Sequence, residues 1–256
     1  MQVRERHPRE RGCGSVDHPC RGRRARPAHR RPAGVHGRHR AHHTAHGRRE
    51  RGRRRGARKE AGRLLVLGSG VKGQAHVVAL QATRPYAWTG MWSPRPSSLH
   101  ASVDRLRERG FDVEAVPSLD EAIATADVVV CATLATEPLF SARSLSPGTT
   151  VVRIGSFDRH RCEIGSDVLD ASHRVVVDHE PTARQNCGPL LAASARAERA
   201  EPVVVERGHV LTGDVGGRDS DDDAVTYLSA GLGVQDAAAA WSVYQRAEAH
   251  DIGRGL

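Results

Sequence analysis

No stretch of this 256-residue chain approaches the roughly 18 to 20 consecutive apolar residues that a helix needs to cross a bilayer, so no membrane partner is expected. Cysteine is scarce. The five residues Cys13, Cys20, Cys131, Cys162 and Cys187 are too scattered for a disulfide framework, and Cys131 lies within an apolar run, so they read as reduced thiols of a cytoplasmic protein. Residues 1–60 contain no Leu, Ile, Phe, Tyr or Trp, and Leu64 is the first leucine of the chain. A segment of that composition cannot bury enough apolar surface to offset its ordering entropy, which excludes a packed domain there. It also has no apolar face for a transit helix, and Cys13, His18, Cys20 and His29 follow no common finger spacing, so no metal site is expected.

Charge is unevenly distributed. The formal net charge of +9 divides into +15 over residues 1–60, with 20 Lys+Arg against 5 Asp+Glu, and −6 over residues 61–256, with 19 against 25. Arguments from basicity, nucleic-acid binding above all, therefore concern only the first 60 residues. Two readings fit that segment: a disordered basic arm whose runs, such as Arg53-Arg54-Arg55, meet phosphates, or a GC-rich coding stretch read out of frame. The abrupt change of composition near Glu60 favours the second, and a nucleic-acid partner is not expected.

Beyond it stands the stretch around which the chain is organised, Arg63 to Leu80. Four apolar residues, Leu64 to Leu67, run into Gly68-Ser69-Gly70-Val71-Lys72-Gly73, and apolar residues follow at helical spacing (Ala75, Val78, Ala79). This reads as a buried strand, a tight turn and a helix start. Gly68 makes the turn, Gly70 admits a pyrophosphate to the backbone, and Gly73 lets helix and strand pack closely. The helix N-terminus offers N–H groups and a positive dipole end to phosphate.

Strands and helices then alternate. Strands are expected at Ala87 to Trp92, Phe111 to Val116, Asp127 to Ala132, Thr149 to Ile154 and Arg174 to Asp178. Leu99 to Arg109 reads as a helix turning Val103 and Leu106 inward, and Ser118 with Glu121 as a capping box. Six strands with helical crossovers specify an α/β, doubly wound parallel sheet of Rossmann type, whose ligands bind beyond the strands' C-terminal ends. Functional residues are therefore expected at Gly68 to Gly73, Ser93 to Arg95, Thr133 and Gly155 to Asp158. In the tail, Asp219 to Asp223 reads as a solvated acidic loop. A helix N-capped by Asp236 then carries Ala240, Val243, Tyr244 and Ala247 as a packing stripe.

One absence bears on the cofactor. An NAD site usually has an acid at the end of the second strand for the ribose 2′-hydroxyl, but here the chain reads MWSPRP. Arg95 can pair with a 2′-phosphate and Ser93 can donate to it, so NADP(H) is expected over NAD(H).

The sequence resembles the ornithine cyclodeaminase/mu-crystallin family through LVLGSGVKGQAHVVAL, ADVVVCATLATEPLF, PGTTVVRIGSFDRHRCEI, RVVVD and TYLSAGLGVQDAAAAWSVYQRA, in family order from residue 61 to 256. The resemblance implies a dinucleotide domain, residues 61–218, and a substrate and dimerisation domain completed by residues 219–256. It also implies a homodimer acting on a small amino or imino acid. By motif position Gly68, Ser69, Gly70, Val71 and Gly73 hold the pyrophosphate, Ser93 and Arg95 the adenosine ribose end, and Thr133 the dinucleotide, while Ser229 lies near the nicotinamide. Turn capping is the alternative role for Thr133 and Ser229. The family commonly has Gln-Ala where this chain has Lys72-Gly73, a position that accepts either small residue. Its essential aspartate after the fifth strand aligns with Phe157, leaving Asp158 one residue later as the acid/base candidate. The family's basic ligands for the substrate carboxylate lie upstream of the glycines and have no counterpart in residues 1–60. Without that segment, the tail from Val225 onward is expected to expose an apolar patch.

The implied activity is NADP(H)-dependent imine reduction or amino acid oxidation at a carbon–nitrogen bond. The alternatives are a dinucleotide-binding protein without turnover and an ornithine cyclodeaminase proper.

Overall fold

Leu64 to Leu67 presents apolar side chains to both sides, and it forms β1 (Gly62–Leu67), each of these four residues completely buried. The structure is a computed structural model that describes residues 62–155, 159–196 and 201–253. After β1 come α1 (Val71–Gln81), β2 (Tyr86–Trp92), α2 (Pro96–Glu108), β3 (Glu114–Ala115), α3 (Leu119–Ile123), β4 (Val128–Cys131) and β5 (Thr150–Ile154). The chain continues through α4 (Ser166–Asp170), β6 (Arg174–Val177), α5 (Glu180–Asn186), α6 (Gly188–Ser194), β7 (Val204–Glu206), α7 (Arg207–Thr212), β8 (Val225–Ser229) and α8 (Gly233–Ala249).

All eight strands join one sheet in the order β3-β2-β1-β4-β5-β8-β6-β7, and every pairing is parallel. Because side chains alternate across a strand, each strand feeds two cores. Leu65, Leu67, Val129, Cys131, Val151 and Leu228 meet residues of α3, α4, α5 and α6 on one face. Leu64, Val66, Val128, Val130, Val152 and Tyr227 meet α1, α2 and α7 on the other. The chain winds outward from β1 through β2 to β3, then returns to lay β4 on the other side of β1. That reversal opens a crevice at the C-terminal ends of β1 and β4, where open α/β sheets bind ligands.

Several expectations are corrected. The strand expected over Phe111 to Val116 shrinks to two residues, because side chains satisfy the backbone before it: Gln81 Nε2 donates to Asp112 O (2.9 Å) and Arg107 Nε to Val113 O (2.8 Å). Among the described residues the strand count rises from the expected six to eight. Val204–Glu206 adds an edge strand, and Val225–Ser229, read with the tail, is inserted between β5 and β6. Half of the capping box is present, with Ser118 Oγ accepting from Glu121 N–H at 3.5 Å. Asp236 does not cap its helix: α8 starts at Gly233, leaving Asp236 in the first turn, where its charge complements the helix dipole. The stripe Ala240, Val243, Tyr244 and Ala247 is not packed, since α8 buries none of its residues and Val243 is 67% exposed. Within the described part of the tail, the exposed large apolar side chains are Val234, Trp241, Val243 and Tyr244 of that helix and Ile252 beyond it, while Val225 to Leu228 lie buried in the sheet.

Candidate functional site

The turn after β1 is built by close approach. Gly68 takes φ +111°, its N–H donates to Trp92 O at 2.8 Å, and a Cβ there would come within 2.6 Å of Ala132 O. A Cβ on Gly73 would lie 1.9 Å from Gly68 O, so α1 rests on the turn with no room for alanine at this third position, in contrast to the pattern expected of the family. Gly70 is the opposite case. Nothing lies within 4 Å of where its Cβ would be, and Val71, the first residue of α1, is 85% exposed. The turn therefore leaves open the approach to the helix N-terminus, with no side chain between it and an incoming phosphate.

Helix α2 fastens this turn from behind. Ser69 O accepts from Ser102 Oγ (2.8 Å) and Gln74 Nε2 (3.0 Å), and Ser69 Oγ shares a hydrogen bond with Ser98 Oγ at 3.0 Å. Ser93 and Arg95 follow β2 at the same sheet edge, Ser93 half-buried and Arg95 exposed as the residue that opens α2.

Across the crevice, Thr133 follows β4. Its N–H and O–H both donate to Glu163 Oε1, at 2.5 and 2.6 Å, and its Oγ1 accepts from Ala135 N–H at 3.2 Å. In this structure the Thr133 hydroxyl is thus engaged both by Glu163, thirty residues away, and by its own turn. Glu163 is buried with Arg153 of β5, their Nε and Oε2 3.8 Å apart, and Arg153 also donates to Arg161 O (2.6 Å). Burial pushes the Glu163 carboxyl above its ordinary range, against the opposing pull of the Thr133 donors and Arg153. The same burial, with the Glu163 charge nearby, pushes the Cys131 thiol well up, which keeps it unreactive.

Ser229 ends β8, two strands from β4, and its Oγ donates to Asp178 Oδ2 at 3.0 Å. Asp158, the acid/base candidate, lies outside the described residues, as do Phe157 and the whole of residues 1–60. The glycine turn, Ser93, Arg95, Thr133 and Ser229 thus all lie along the C-terminal edge of one sheet.

The model of the ornithine cyclodeaminase/mu-crystallin family matches residues 54–251. The chain belongs to this family. Among its relatives is a delta(1)-pyrroline-2-carboxylate reductase of Bacillus cereus, 27% identical over 78% of this chain and 62% of that protein. An archaeal alanine dehydrogenase, solved as a dimer with bound NAD, superposes with a TM-score of 0.70 at 26% identity, covering 78% of this chain and 62% of the other. The iminosuccinate reductase of Paracoccus denitrificans, in complex with NAD+, gives 0.66 at 25% identity over 77% and 60%. The chain therefore spans about three fifths of the length of the family members it matches.

Three residues at the site escape the motif reading. Arg153 interrupts the apolar run of β5, a charge where a solvent-shielded strand should have none, and that anomaly was its signal. Its partner Glu163 carried no local signal. Asp178 follows β6 directly, at the kind of strand end where functional side chains of this fold gather, and the rule that singled out Thr133 applies to it equally.

Proposed function

We propose that this chain is an NADP(H)-dependent oxidoreductase acting on the carbon–nitrogen bond of a small amino or imino acid, working as a cytoplasmic homodimer. The observation that carries the reading is the glycine turn at the crevice between β1 and β4, sealed at Gly73 and open at Gly70. Family membership and the bound NAD or NAD+ of the two solved relatives support the dinucleotide, and their names support the substrate class. The archaeal dimer supports the assembly.

The backbone from Gly68 to Gly73 holds the pyrophosphate by N–H donation, with Ser69 keeping the turn fastened to α2. Ser93 and Arg95 take the 2′-phosphate; no acid stands at the end of β2 to repel it. Thr133, fixed by Glu163, walls the far side of the crevice, and Ser229 receives the nicotinamide. A bound nicotinamide supplies hydride transfer at its C4. Asp158 is the candidate for moving the accompanying proton at the substrate nitrogen.

The test has two stages. Fluorescence titration of the full chain should show NADPH binding more tightly than NADH. Addition of pyrroline-2-carboxylate, or of pyruvate with ammonia, should then lower absorbance at the reduced nicotinamide band. Dinucleotide affinity without turnover on any imino acid would instead identify a binding protein, and absence of dinucleotide affinity would defeat the proposal.

A further inference from the structure

A closed hydrogen-bond network lies at the C-terminal ends of β6, β7 and β8, and Asp178 is its centre. Val177 is level with Leu228 in the β6–β8 pairing, so Asp178 emerges beside Ser229. Its side chain is fully buried, and a carboxylate there requires compensation. Oδ2 accepts from Ser229 Oγ at 3.0 Å and from Gly231 N–H at 2.9 Å, and Oδ1 accepts from the Tyr227 hydroxyl. Arg207, which opens α7, supplies the opposite charge: its Nη1 lies 3.5 Å from Oδ1 and donates to Tyr227 Oη at 3.1 Å. Burial and the adjacent carboxylate both raise the Tyr227 phenol, so it keeps the proton it donates.

The network has a direction. A carboxylate receives protons and gives none, so the Ser229 hydroxyl, with a single proton, spends it on Asp178. What remains on the half-buried serine oxygen is acceptor capacity only. We propose that Asp178 is a positioning residue that fixes Ser229 as a hydrogen-bond acceptor and thereby selects the carboxamide N–H of the nicotinamide. The inference rests on the placement of the nicotinamide at Ser229 under the proposed function. A dinucleotide whose carboxamide is replaced by an acetyl group offers only an acceptor there, and meets lone pairs with lone pairs.

Calorimetric titration of the full chain with NADP+ and with its 3-acetylpyridine analogue tests this directly. The unsubstituted protein should prefer NADP+ by about tenfold, the scale of one hydrogen bond lost without replacement. In Asp178→Ala the serine loses the acceptor that takes its proton and can turn that proton outward, so the preference should fall to within twofold or reverse. Ser229→Ala removes the acceptor while leaving the buried carboxylate in place, and should also bring the preference to within twofold. This second variant decides the matter if Asp178→Ala does not fold. A preference that survives in Ser229→Ala, or in folded Asp178→Ala, overturns the assignment but not the cofactor reading, as does an unsubstituted protein that binds both dinucleotides equally. An unsubstituted protein that binds neither overturns both.

Discussion

Replacing Gly73 with Ala sets two effects against each other. Alanine favours a helix interior over glycine by about 1 kcal/mol, which alone would stabilise α1. The new Cβ, however, would sit 1.9 Å from Gly68 O, whereas real Cβ atoms essentially never approach a neighbour closer than 3.0 Å. Helix and turn must therefore part by more than 1 Å. The opposing atom is a backbone carbonyl, in a residue held at φ +111°, so no flexible side chain can yield. Moving α1 also disturbs Val77 and Leu80, both buried in the core beneath it. Overpacking of this kind costs up to ~3 kcal/mol, leaving a net loss of ~2 kcal/mol once the helix term is subtracted. In a folded unit of this size that is a fall in Tm of about 4–8 °C, measurable by circular dichroism. Gly70→Ala is the matched control. Its backbone is extended (φ −72°, ψ −179°) and nothing lies within 4 Å of the new methyl, so Tm should stay within ~1 °C. Dinucleotide affinity should nonetheless fall at least about tenfold, because the methyl fills the approach to the helix N-terminus. A Gly73→Ala protein with unchanged Tm and unchanged dinucleotide affinity would refute the close-contact argument.

Three other outcomes are expected. Glu163→Ala leaves Arg153 buried without its counter-charge and should cost about 3–5 kcal/mol in urea unfolding, whereas the paired change Arg153→Met with Glu163→Leu should recover part of it, the Thr133 donors and Arg161 O remaining without their partners; a larger loss in the pair than in Glu163→Ala would contradict the pairing. Arg95→Asp should weaken NADPH binding by roughly ten- to a hundredfold, the ~1.5–3 kcal/mol of a hydrogen bond to a charged group, and leave NADH affinity unchanged or improved; parallel losses for both would remove Arg95 from the 2′-phosphate site. Asp223 is held at about 2, below its ordinary 3.8, by the N–H groups of Ser220 and Asp219. A lowered folded value means that its contribution is present above pH 3.8 and lost as pH falls towards 2. The urea midpoint of Asp223→Asn should therefore decline less steeply than that of the unsubstituted protein over this window, and equal slopes would refute the assignment.

Much of the fold was legible because the relevant signals are local. Apolar runs such as Val128 to Cys131 and Thr150 to Ile154 announce buried strands, and Val103 and Leu106 fall on the core side of α2 as their spacing requires. The turn chemistry of Gly68 to Gly73 was equally explicit. What failed was nonlocal. Parallel strands find neighbours far away in sequence, so the short run Val225-Thr226-Tyr227-Leu228, between an acidic loop and a glycine-rich turn, says nothing of the place it takes between β5 and β6. Phe111 to Val113 looked like strand because propensity cannot see that Gln81 and Arg107 claim the carbonyls of Asp112 and Val113. At the candidate site, position in the sequence drew attention to the hydroxyls of Thr133 and Ser229 but not to the carboxylates that orient them. Glu163 lies thirty residues from Thr133 and Asp178 fifty-one from Ser229, separations that no spacing rule spans.

The place of β8 also governs the order in which the molecule is assembled. Among the described residues it is the last strand in the sequence, yet it bridges β5 and β6 and is their common neighbour. Until Val225 to Ser229 leaves the ribosome, the sheet exists as two blocks, β3-β2-β1-β4-β5 and β6-β7, each ending in an unpaired apolar edge. Closing that gap requires Thr150 to wait for Val225 across four helices and two strands, the kind of distant pairing that slows folding. The nascent chain therefore carries two sticky edges from the completion of β6 until a single five-residue segment covers both.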